Sequence, residues 1–172
     1  DYMIDPVFGE LMEEVFSPYG GWYGKQIIDF GGTSRPIELR IQQSDESCSI
    51  TELQYRSYKH FMEEWPNIQQ KLIDALIKYY NEVERFAWGP DNEEEFAKWW
   101  PEIETREALL QAVTLESIVI PWDFTMVEAK CGRYIYLLFS KAWGGEDMED
   151  NGIGVGFLNE DIDEIAYKDI AY

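Results

Sequence analysis

Residues 146–157, EDMEDNGIGVGF, hold the densest chemistry in the chain: four carboxylates in five positions, then Asn-Gly, then an apolar run punctuated by glycine. Alternating carboxylates ahead of a glycine resemble the opening of a calcium loop. There, oxygen ligands converge on the ion and the glycine turns the backbone sharply. Asp147-Met-Glu149-Asp-Asn151-Gly152 nearly gives that opening, with the glycine sixth. The match ends there. The twelfth position is Leu158, where calcium needs a bidentate Glu, and the eighth is Gly154 instead of a branched apolar residue. No helical pattern flanks the loop. The stretch reads as a solvated turn into a strand over 153–157, with Asn151-Gly152 taking positive φ, and no metal is expected.

Other chemistry has thinner support. Glycosidase-type acid–base work needs two carboxylates at a set separation in a cleft, one with a raised pKa. The 34 acids offer many pairs and single out none. His60, the one histidine, lies in a helical pattern with no nucleophile motif beside it. A single imidazole rules out sites that need two, including HExxH proteases. The glycines at 20–24 and 152–156 lack the Lys-Ser/Thr of a phosphate loop, so no cofactor is expected. Trp99-Trp100, in an acidic segment before Pro101, would serve as a protein anchor or a sugar platform if exposed. The competing reading sends one tryptophan into the core and lays the other over apolar surface.

The elements that would position these groups form an α+β pattern. Residues 22–30 and 37–42 read as strands joined by the turn Gly31-Gly32-Thr-Ser-Arg-Pro36, an antiparallel hairpin. Ser49-Ile-Thr-Glu52 fits a capping box for a helix running to about Glu64. Pro66 is expected to break that helix and Asn67 to cap a second, running to about Phe86. Its apolar stripe is Ile68, Leu72, Leu76, Tyr80 and Val83. Residues 93–101 read as an irregular link and 105–113 as a short third helix. Strands are expected at 118–122, 126–130, 133–140, 153–157 and 164–167, with a tight turn at Cys131-Gly132. The expected fold is a single domain over 1–172. It has an antiparallel sheet of about six to seven strands, with two to three helices inserted after the first hairpin and packed on the sheet.

Composition bounds the function classes. At 172 residues the chain is long enough to bury about two-thirds of its unfolded surface. Hydrophobic content of 45% against 28% charged belongs to a globular protein. The longest apolar run, 134–139, is far short of the ~20 residues of a membrane helix. The first residues have neither the basic nor the apolar region of a signal peptide, although a removed leader would leave the same trace. Cys48 and Cys131, 83 positions apart, form no CxxC, and a reducing cytoplasm is the expected compartment. The net charge of −20 repels nucleic acid and anionic membrane and favours basic partners.

Several short motifs recur in one order: Asp5-Pro-Val-Phe-Gly9, Gly21-Trp-Tyr-Gly24, Ile50-Thr-Glu-Leu-Gln54 with Tyr58 and Phe61, Tyr79-Tyr80, and Trp143 onward to Gly152-Ile-Gly-Val-Gly-Phe157. Together they resemble an uncharacterised bacterial domain family whose C-terminal segment reads WDxEHGxGVxF. The family's Trp-Asp appears here as Trp143-Gly144 and its Glu-His-Gly as Asp150-Asn151-Gly152, so a chemical role for that His or Asp would be lost. The resemblance implies an α+β fold and no established activity, and similar small acidic domains occur among toxin–immunity gene clusters.

The expectation from these residues is a non-enzymatic domain that binds a basic, toxin-like protein through its acids, as an immunity protein would. Nine acids and one base lie between Glu146 and Asp169. The candidate contacts are Glu146, Asp147, Glu149, Asp150, Glu160, Asp161, Asp163 and Glu164, with Trp99 and Trp100 beside them. The alternative is a carbohydrate-binding or hydrolytic domain built on exposed tryptophan and carboxylates.

Overall fold

The computed structural model describes residues 1–14, 20–43, 49–87, 93–122, 132–145 and 151–172. Its strands are β1 (Tyr2–Asp5), β2 (Gly9–Glu14), β3 (Gly21–Phe30), β4 (Thr33–Gln42), β5 (Val113–Ile120), β6 (Tyr134–Lys141), β7 (Ile153–Leu158) and β8 (Asp161–Ala166). They form one open sheet in sequence order, antiparallel throughout except where β4 and β5 run parallel. The helices fill the β4–β5 crossover, as a parallel pair requires. They are α1 (Glu52–Glu63), α2 (Trp65–Tyr79), α3 (Glu93–Trp99) and α4 (Arg106–Ala112). A π-helical turn, Tyr80–Glu84, and a last turn, Arg85–Ala87, extend α2.

The α+β class is as expected, but both counts were too low. The hairpin 22–42 is the second in the chain. The first, β1–β2, is held by Asp5, whose buried carboxylate accepts the Val7 and Phe8 amides at 2.7 and 2.9 Å and the Tyr55 hydroxyl. The segment 93–101, read as irregular, contains α3. Three glutamates in its first turn and Lys98 in its last match the helix dipole.

Helix starts also moved. Thr51, not Ser49, caps α1. Its hydroxyl accepts the Gln54 amide at 3.1 Å, and the Gln54 side chain returns to the Thr51 amide at 3.0 Å. The break falls at Glu64, as expected, but Asn67 does not cap the second helix, because α2 already includes Pro66. Pro66 sits in the first turn of α2, where a missing N–H breaks no helical bond. Val83 leaves the expected stripe and is half exposed, because the wider π turn swings it out and brings Glu84 inward.

One apolar cluster joins the inner face of the sheet to α1 and α2, from Phe8 and Leu11 through Phe61, Leu72 and Leu76 to Val155 and Phe157. Strand alternation makes the other face readable as a row. Through successive pairings, Tyr2, Met12, Tyr23, Arg40, Val119, Tyr136, Gly156 and Glu164 stand side by side across all eight strands. A 3₁₀ turn, Lys168–Ala171, covers the middle of that outer face, with Ala171 packing on Val119 and Leu138. Gly154 makes room for it, since a Cβ there would lie 2.6 Å from the Tyr167 carbonyl. None of the described helices is long and apolar enough to cross a membrane.

Candidate functional site

The β7–β8 hairpin gathers four of the acids singled out by sequence. Its two-residue turn, Asn159-Glu160, has φ of 48° and 68°, the signs a type I′ turn requires. Glu160 takes both ends of the Arg133 guanidinium, at 2.9 and 2.8 Å, so its charge is largely neutralised within the fold. Asp161 is exposed. Asp163 sits where the β7–β8 register shifts, and it accepts the Tyr134 hydroxyl at 2.8 Å. Burial first, then this bond, push the Tyr134 phenol up. Glu164 is half-buried opposite Gly156. Glu146, Asp147, Glu149 and Asp150 lie outside the described residues, as do both cysteines and the strand expected at 126–130.

The tryptophan pair divides. Trp100 is 2% exposed and stacks on Tyr80 at 6.5 Å, which takes it out of reach of a partner. Trp99 is half-buried, donates to Glu95 at 2.9 Å and lies 4.6 Å beneath the Lys98 ammonium. The pair forms no open platform of the kind a sugar ring needs.

Sequence reading missed the opposite end of the sheet. Beyond the cover of the 3₁₀ turn, the outer face of β1–β3 exposes Tyr2, Ile4, Met12 and Ile27 by 58, 73, 61 and 75%. A groove of about 510 Å³ runs along it, lined by Tyr2, Met12, Tyr23 and Lys25 among others. The signal was present as apolar residues two apart in Tyr2-Met-Ile4, but a four-residue strand is too short for periodicity to stand out.

Residues 7–172 match a family model described as Domain of unknown function (DUF6985). The chain belongs to this family. No curated protein and no solved structure matches it.

In this DUF6985 chain several of the short motifs singled out by sequence hold the fold together. Asp5-Pro-Val-Phe-Gly9 is the turn of the first hairpin, with Asp5 and Phe8 buried and Phe8 stacking on Tyr55 at 5.3 Å. Gly24 lets β2 approach β3, because a Cβ there would lie 2.9 Å from the Glu10 carbonyl. Gln54, besides capping α1, donates to the carbonyls of Gln42 at 2.8 Å and Pro121 at 3.2 Å. It thereby ties the crossover to the ends of the strands it joins.

A second buried feature is polar. The Lys141 ammonium pairs with the Glu84 carboxylate, their side chains 0 and 1% exposed. The ammonium also lies 5.1 Å from the Tyr167 ring centre and 5.9 Å from that of Trp143. Glu84 Oε2 and Trp143 Nε1 have no hydrogen-bond partner among the described residues. Burial first, then the charge of Glu84, push the neighbouring Tyr79 phenol up. Sealed on all sides, the pair holds the π turn against the end of β6. Among the described residues no group of three or more His, Cys, Asp or Glu side chains could hold a metal ion.

Proposed function

We propose that this domain acts by binding another protein, one with an excess of positive charge, in an immunity-like role. The observation that carries the reading is the placement of charge. Of the described acids only Asp5 and Glu84 are buried, so nearly all of them contribute to the outward field. Several cations are already paired within the fold: Arg133 with Glu160, Lys141 with Glu84, Lys168 with Glu116 and Arg40 with Glu38. A surface of net charge −20 attracts a basic partner at long range and repels nucleic acid.

The test is affinity capture with the tagged domain, washed at low and then high salt, with bound proteins identified by mass. A single basic protein held at low salt and released at high salt supports the reading. Binding indifferent to salt, or no retained protein, counts against it, because screening over ~10 Å at 0.1 M weakens contacts made mainly by exposed charge.

A further inference from the structure

We propose that the partner docks by strand addition along the outer edge of β1, which no described strand pairs, with its alternate apolar side chains entering the open outer face of β1–β3. The inference rests on the reading of this domain as a binder of a basic protein, and it names where and how that contact is made.

The two edges of the sheet differ. A free strand edge offers unpaired N–H and C=O groups to any extended chain, and proteins blunt such edges with charge, proline or bulges. β8 is blunted: it carries Asp161, Asp163 and Glu164 and a register shift against β7. β1 is short but less defended: its one charge, Asp5, is buried and bonded to Val7, Phe8 and Tyr55, so it does not face the edge. The strand's sequence is Tyr-Met-Ile-Asp, and it pairs with β2 without a shift.

The phase of its hydrogen bonds follows from one contact. The Glu13 amide donates to the Asp1 carbonyl at 2.8 Å, so Asp1 and Glu13 form a hydrogen-bonded pair. Alternation along the antiparallel ladder then turns Met3 and Asp5 toward β2. Tyr2 and Ile4 therefore present their backbone N–H and C=O to the outer edge, while their side chains stand on the open outer face. A ninth strand would find two residues' worth of backbone partners and, beside them, the exposed side chains of Tyr2, Ile4 and Met12. Backbone pairing supplies affinity and side-chain pockets supply selectivity in this mode of recognition.

The sign of the partner comes from the molecule as a whole. The groove lining is nearly balanced, with Glu10 against Lys25, so the local contact is apolar and backbone-mediated. A second copy of this chain would bring another −20 to the edge, and like charge disfavours that occupant. An extended segment with apolar residues at alternate positions and lysine or arginine between them satisfies both the edge and the field.

The probe is a synthetic peptide of alternating valine and lysine, compared with oligolysine of equal length. Affinity is read by fluorescence anisotropy, and the site by protection of backbone amides from exchange. The expected result is tighter binding of the alternating peptide, with new protection at Tyr2 and Ile4. Ile4→Pro removes an outward N–H but no bond to β2, and it should weaken that binding by about tenfold. Met12→Ala, which leaves the backbone intact, should weaken it less, and Asp161→Asn on the other edge should weaken it far less than Ile4→Pro does. Circular dichroism checks that each variant folds. Binding that is lost in Asp161→Asn and kept in Ile4→Pro overturns the β1 assignment while the basic-partner reading stands. Failure of both peptides to bind at low salt removes that reading itself. A protein that sediments alone as a dimer, dissociated by Ile4→Pro, makes a second copy the occupant and overturns the proposal.

Discussion

Gly152 has no room for a side chain: a Cβ there would meet the Phe139 carbonyl and the Lys168 stem, and its φ is 53°. Gly152→Ala should therefore destabilise the domain by about 2–4 kcal/mol, combining left-handed strain with overpacking. Urea unfolding followed by tryptophan fluorescence measures it. A loss under about 0.5 kcal/mol, the range of ordinary surface changes, would mean that the backbone there is free to move. The Glu84–Lys141 pair calls for a cycle. Lys141→Met alone leaves a carboxylate buried without its partner and should cost about 3–5 kcal/mol, whereas Glu84→Leu combined with Lys141→Met should recover most of that loss. A double variant no more stable than the single ones would show that the pair does not act as a unit. Neither residue stood out in the sequence. Glu84 reads as one more acid on a helix until the π turn rotates it inward, and a turn of that kind follows from packing, not from residue type.

At the level of elements, Thr51→Ala should destabilise the domain by about 1 kcal/mol, while Ser49→Ala should change stability by only a few tenths. The comparison settles which hydroxyl caps α1. Both residues precede a Glu or Gln by three positions, so the spacing admits either. What decides is Gln54, which must both complete the box and reach the carbonyls of Gln42 and Pro121. The same distinction runs through the whole fold. Strands with long period-two or apolar runs, β3, β4, β6 and β7, were legible, as was the stripe of α2 up to Tyr80. Short elements whose identity rests on distant partners were not. β1 needs β2 beside it and Asp5 tethered to Tyr55. α3 carries its signal in charge order, which an apolar search passes over. Of the candidate site, the acids of the β7–β8 hairpin were legible as composition. The open face of β1–β3 was not, since exposure is a property of what fails to cover a strand.

For the molecule as a whole, alkaline pH is the informative variable. Burial, aided for Tyr55 by its bond to Asp5, holds the phenols of Tyr55 and Tyr80 up at about 12 against an ordinary value of 10.0. A phenol raised in the fold loses its proton first from the unfolded chain. Its stabilising contribution is complete below pH 10.0 and disappears as the pH rises toward 12. Urea midpoints should hold steady to about pH 9 and fall by about pH 11, with a shallower fall in Tyr55→Phe. A midpoint flat across that window would mean that these phenols ionise as freely in the fold as outside it. Topology adds a consequence of a different kind. Every strand lies beside its neighbour in sequence, and the parallel β4–β5 seam joins two uninterrupted meanders. A chain severed between β4 and α1 would leave each fragment with all of its antiparallel registers internal. The two would have to find the β4–β5 seam and rebuild the contacts that cross between them, among them Gln54 on the Gln42 carbonyl, the Tyr55 hydroxyl on Asp5 and the shared apolar core. Division at that point should therefore leave two pieces that recover the intact fold only on recombining, with registers already set within each.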